Sequence, residues 1–88
     1  MITARQSRAA RALLGWTQET LADKARISLT ALKRLESESG LDVYETTRDQ
    51  ARRALEGAGI VFLSTDRGQG VLLVDDRRNK PNRSTGLR

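Results

Sequence analysis

The chain has no cysteine and no histidine. The first absence excludes disulfides and thiolate metal sites. The second removes the usual acid–base catalyst and the commonest metal ligand. Aromatic residues number one tryptophan, one tyrosine and one phenylalanine in 88, and 38% of the chain is hydrophobic. Any core is therefore small, and a domain of this size often leans on a partner subunit. No apolar run approaches the roughly 18–20 residues of a membrane span, and the first residues lack a signal-peptide core. These absences point to one small cytoplasmic domain with a tail, with no cofactor, no metal and no enzymatic chemistry expected.

What is present is charge, unevenly placed. Residues 1–36 hold seven Lys/Arg against three Asp/Glu, net +4, and residues 37–59 hold three against five, net −2. Residues 60–76 hold one against three, net −2, and residues 77–88 hold five against none, net +5. Segregation of this kind is the electrostatic footprint of a polyanion binder, although a basic balance alone also describes many solvated surfaces.

Thr3 is placed to cap a first helix running to about Leu14, with Leu13 and Leu14 its heaviest apolar side chains and Gly15 its stop. Thr17 caps a second helix over residues 18–25, with Trp16 stapled onto Leu21. Ser28 caps a third helix to about Ser37, and Ile27 staples onto Leu32 in the same way. Residues 37–43 read as a loop broken at Gly40, followed by a fourth helix from about Thr46 to Glu56 that Gly57 and Gly59 stop. The period then changes. Residues 60–63 and 71–74 are short, apolar and largely β-branched, with turn residues between them, which predicts a β-hairpin. Gly68-Gln69-Gly70 reads as part of that turn, because a phosphate loop needs a following helix and a Lys-Ser/Thr pair. Asp75 and Asp76 are adjacent carboxylates, which in a strand face opposite ways and do not share a metal or proton. Residues 77–88 are polar, basic and without an apolar period, as expected of a disordered tail.

On a helical wheel the third helix gathers Ala31, Leu32 and Leu35 on one side and Leu29, Thr30, Lys33, Arg34 and Ser37 on the other. A short helix of this kind can enter a major groove with its N-terminal residues at base edges, while Ser28 and the backbone N–H groups favour phosphate. An ordinary αα-hairpin with a merely wet outer face explains the wheel equally well.

Residues 18–36 (QETLADKARISLTALKRLE) resemble the helix-turn-helix of the Cro/cI-like, XRE-type family of regulators. In that family a Gln opens the second helix, a Leu-Ala pair packs inside it, a small apolar residue and Ser or Thr open the third, and an aliphatic-Glu pair closes it. Here these are Gln18, Leu21, Ala22, Ile27, Ser28, Leu35 and Glu36, with Gly15-Trp16-Thr17 and Arg11 upstream also fitting. The likeness covers roughly residues 3–56. It implies phosphate contacts at Thr17 and Gln18 and base reading by Ser28, Leu29, Thr30, Lys33 and Arg34. Lys33 or Arg34 would donate to guanine O6/N7, Leu29 would meet a thymine methyl, and Thr30 suits either kind of contact. It also implies a structural ion pair between Arg11 and Glu36. Arg5 and Arg8 fit a phosphate contact and a solvated face equally well.

The sequence departs from the family pattern at three places. Arg26 stands at a turn position where many members have Gly, so a non-glycine is expected at positive φ, at a cost of about 1 kcal/mol. Glu38 stands where a Gly usually follows the closing Glu. Leu29 is an apolar group on the outward face, where an exposed anchor for a protein partner would sit.

The architecture expected is mostly α. A four-helix Cro/cI-like domain spans 1–59, a β-hairpin that serves as the dimerisation element spans 60–76, and a disordered basic tail spans 77–88. The function implied is a homodimeric, sequence-specific DNA-binding regulator, a repressor acting on a double-stranded operator. The alternative is the same fold binding another protein, as an antiactivator masking a transcription factor or as an antitoxin.

Overall fold

The computed structural model describes residues 2–37 and 43–74. Four helices, α1 (Ala4–Leu14), α2 (Gln18–Ala25), α3 (Leu29–Glu36) and α4 (Glu45–Gly57), precede an antiparallel hairpin of β1 (Ile60–Thr65) and β2 (Gly68–Leu73). The expected loop break at Gly40, with Glu38, the Asp75-Asp76 pair and the tail over 77–88, lies outside the described residues.

Each of the first three helices starts on a hydroxyl cap. The Thr3 side chain accepts the Gln6 N–H at 3.1 Å, while Gln6 Oε1 accepts the Thr3 N–H at 3.1 Å, a reciprocal capping box. Thr17 accepts the Thr20 N–H at 3.1 Å, and Ser28 accepts the Ala31 N–H at 3.0 Å. Gly15 ends α1 at φ 71°, and the Trp16 N–H reaches back to the Arg11 carbonyl at 2.9 Å. Arg26 ends α2 in the same left-handed conformation, φ 60°, and is the one non-glycine residue at positive φ among the described residues. The Ile27 N–H bonds to the Ala22 carbonyl at 3.0 Å, so the turn is closed by hydrogen bonds although its pivot carries a Cβ.

Boundaries shift further along. Helix α4 begins one residue before Thr46 and ends one after Glu56. Gly57 does not stop it but is its last residue, and Ala58 caps it. The reversal falls on Gly59, φ 107°, where a Cβ would lie 3.0 Å from the Val74 carbonyl oxygen. The hairpin turn is only Asp66 and Arg67, since Thr65 pairs with Gly68. Gly68, Gln69 and Gly70 are therefore the first residues of β2 and not part of the turn. Cross-strand pairing carried both strands past their apolar runs, which is why the composition of this segment misled.

The core gathers Ala10, Leu21, Leu32, Leu55 and Ile60, with Trp16 and Phe62 packed against it, and a second cluster joins Ile2, Leu35 and Ala51. Of the two heavy residues ending α1, Leu14 packs on this core and Leu13 faces solvent. The hairpin's inner face closes the core, and Gln6 fastens it there: its Nε2 donates to the carbonyls of Leu63 and Gly70, 3.0 Å each. Thr3 Oγ1 adds a bond to Gln69 Oε1 at 3.2 Å.

A left-handed arginine has a direct consequence for stability. Arg26→Gly is expected to raise the free energy of unfolding by about 0.5–1 kcal/mol, the relief of the Cβ clash exceeding glycine's entropic cost, and Arg26→Val to lower it by a similar amount. Chemical denaturation of both variants checks this; a glycine variant that unfolds at lower denaturant would contradict it.

Candidate nucleic-acid interface

Helix α3 is held by its last residue. Glu36 closes the helix, at the negative end of its dipole, and is buried, two circumstances that disfavour a carboxylate. Three side chains from two other helices answer it. Arg11 of α1 grips it in a fork, Nη2 to Oε1 at 2.8 Å and Nε to Oε2 at 2.9 Å. Ser7, one turn earlier on α1 and wholly buried, donates to Oε2 at 2.6 Å. Gln18, the first residue of α2, donates from Nε2 to Oε1 at 3.0 Å. Arg11 Nη1 also donates to the Trp16 carbonyl at 3.2 Å, and Arg8 donates to the Glu36 carbonyl, so the α1–α2 turn joins the network. Burial by itself would push the Glu36 carboxyl up. The hydrogen bonds from Arg11, Ser7 and Gln18, with the Arg11 charge, outweigh it and hold the group below the ordinary glutamate range.

With its back fixed in this way, α3 turns Thr30, Lys33 and Arg34 to solvent. Neither Lys33 nor Arg34 has an ion pair or side-chain hydrogen bond to another described residue. Ser28 is exposed at the head of the helix, its oxygen already accepting from Ala31 and its O–H still able to donate. Thr17 is exposed at the head of α2, where its hydroxyl meets that of Thr20 at 3.0 Å. Gln18 is half-buried, and Glu36 takes one of the two N–H groups of its carboxamide, leaving the other.

Leu29 departs from expectation. It is half-buried, not exposed, and stands at the edge of the outward face. The reason is its row on the helix: Leu29 lies one turn from Leu32 and two from Glu36, both buried, so it flanks the inward stripe. The wheel set Leu29 at the edge of the outward side, next to the row of Glu36, and that edge turns inward with Glu36.

One exposed residue beside this face was not anticipated. A cleft of about 250 Å³ between α3 and the start of α4 is lined by Ser28, Thr30, Arg34 and Tyr44 among others. Tyr44 is 83% exposed, the highest value among the exposed large hydrophobic residues. Its only sequence signal was being the single tyrosine, in a segment without helical period. Ser7 was also missed, although its spacing of four from Arg11 places both on one side of α1.

Among the described residues no group of three or more His, Cys, Asp or Glu is arranged to hold a metal, and no helix is long and apolar enough to cross a membrane. Comparison with known families matches residues 8–42 to a helix-turn-helix. That span runs from the middle of α1 through α3 and excludes α4 and the hairpin. No curated protein and no solved structure matches the chain.

The Glu36 network makes two measurable statements. Arg11→Ala strands a buried carboxylate and is expected to cost about 3–5 kcal/mol of stability. Because the folded-state value of Glu36 is lowered, its contribution is complete above the unfolded value of about 4.3 and is lost as pH falls through the folded value. Denaturant titrations from neutral to acid pH should therefore show a shallower acid loss in Glu36→Gln than in the parent. Identical acid limbs would remove Glu36 from this role.

Proposed function

With its residues 8–42 belonging to the Cro/cI-like, XRE-type helix-turn-helix family of DNA-binding regulators, we propose that this chain reads a specific operator sequence as a homodimer and represses transcription there. The observation that carries the reading is the outward side of α3, where Thr30, Lys33 and Arg34 stand exposed on a helix whose other side is locked to α1 and α2.

In this reading α3 enters the major groove N-terminus first. Lys33 or Arg34 donates to guanine O6/N7, and Thr30 takes a polar or a methyl contact. Leu29, half-buried, offers its outer edge to a thymine methyl. Ser28, Thr17 and the second N–H of Gln18 bind phosphate and set the register. Glu36 orients the Gln18 carboxamide, so the contact arrives with its conformational freedom already removed. Two-fold pairing of copies matches a two-fold operator. In this reading no catalytic step is involved, and the protein acts in the cytoplasm. The alternative, in which α3 masks another protein, relied on Leu29 as an exposed apolar anchor, and half-burial weakens that support.

Binding to sequences selected from a random duplex pool, followed by titration of variants, tests the reading. Thr30→Ala or Arg34→Ala should each lose about 1–3 kcal/mol of discrimination between the selected and unrelated duplexes. Gln18→Ala should weaken both equally, and Lys33→Ala should reduce the salt slope by about one. If Leu29→Ala abolishes activity in cells while Lys33→Ala and Arg34→Ala change nothing, the protein partner becomes the better reading.

A further inference from the structure

Three of the four helices begin on a hydroxyl that bonds back into its own first turn. Helix α4 begins instead on Tyr44, whose side chain makes no cap and stands in solvent. Tyr44 and Val43 line one side of the cleft of about 250 Å³ between α3 and α4. Thr30 and Arg34, one turn apart on α3, line the other side together with Ala31.

Thr47 lines the same cleft. It is 9% exposed, and its hydroxyl makes no hydrogen bond to another described residue. A buried O–H without a partner is unusual in a folded protein, and one that lines a cleft is answered by whatever enters. Arg34 is in a like condition at the surface, a guanidinium with no ion pair or side-chain hydrogen bond to another described residue. One small concavity thus combines two unanswered polar groups with an aromatic ring and the aliphatic side chains of Ala31 and Val43.

Each of these restricts the occupant. A guanidinium matches a carboxylate through two parallel bonds. A free hydroxyl adds a further bond to the same group. The ring of Tyr44 offers a flat apolar surface on which another ring stacks. The cleft falls below the roughly 300–1,000 Å³ of sites for drug-sized ligands, so one ring with one charged group fills it. A duplex, stiff over many base pairs, does not reach a side chain that is nine-tenths buried in so small a cleft.

We propose that this cleft is an effector site for a small aromatic carboxylate, held by Arg34 and Thr47 with its ring on Tyr44. Thr30 and Arg34 also belong to the face that reads DNA, so the ligand and the operator exclude each other by direct competition. Occupation of the site stands on the cleft itself; its effect on DNA rests on the operator reading above.

Benzoate titrated into the full 88-residue chain tests this. The chain has one tyrosine, so the tyrosine ring resonances report on the cleft alone. They should shift saturably, with a Kd on the order of 0.1–1 mM for a ligand of this size. Acetate, which lacks the ring, and benzyl alcohol, which lacks the carboxylate, should each bind about tenfold more weakly or worse. Thr47→Val keeps the shape and removes the hydroxyl. Calorimetry should show its affinity for benzoate lowered about tenfold, with a melting temperature unchanged or raised, since a stranded hydroxyl is gone. Tyr44→Ala, at an exposed position, is a second variant and should lose affinity as well. In gel retardation of a selected duplex, benzoate should release the parent where acetate at equal ionic strength does not, and Thr47→Val should still bind the duplex and resist release. No saturable shift of Tyr44, equal binding of acetate or benzyl alcohol, or full affinity in both variants would overturn the site. Bound benzoate that leaves the retarded duplex intact would overturn the competition. A protein that binds benzoate as expected and retards no duplex would instead refute the operator reading and keep the site.

Discussion

A carboxylate out of water at the C-terminal end of a helix is unfavourable twice, through lost hydration and through the helix dipole. Glu36 is placed so, and the helices can pack around it only because Ser7, Arg11 and Gln18 converge on its two oxygens. The geometry is demanding: the Arg11 fork needs both oxygens in one plane, and Ser7 and Gln18 each add a bond to an oxygen the fork already holds. Such a network fixes an arrangement more than it adds net stability, because a buried pair repays little beyond its desolvation. Here the arrangement is the angle at which α3 leaves the protein.

Much of this was legible beforehand, for local reasons. Thr3, Thr17 and Ser28 announce helix starts because a hydroxyl cap acts within three residues, and Gly15 announces a stop for the same kind of reason. The positive φ of Arg26 was implied by the resemblance, in which a Gly commonly stands at that turn position. What failed to show depended on partners far along the chain. Gln6 gave no signal at all, yet its carboxamide nitrogen serves strand carbonyls 57 and 64 residues away. Leu29 was misplaced because it stands at the edge of the outward arc, where the packing of α3 on its neighbours and not the local period decides exposure. The strands were read too short because two glycines and a glutamine look like a turn until a partner strand pairs with them.

The candidate nucleic-acid interface divides along the same line. Thr30, Lys33 and Arg34 could be named from one helix, since exposure on α3 is a matter of local period. Tyr44 could not, because its place beside Thr30 and Arg34 depends on how α4 returns against α3.

Gln6 and Arg11 lie on the same eleven-residue helix, the first fastening the hairpin and the second fastening α3. Five residues of helix span about 7.5 Å, a stiff and short connection. The outer face of the hairpin is thus held at a short, stiff remove from the outward face of α3, through the side-chain bonds that α1 makes to both among the described residues. Under the proposed function, the side chains that would choose a target, Thr30, Lys33 and Arg34, are separate from Gln6, which sets how the hairpin is held, so a change at one need not disturb the other.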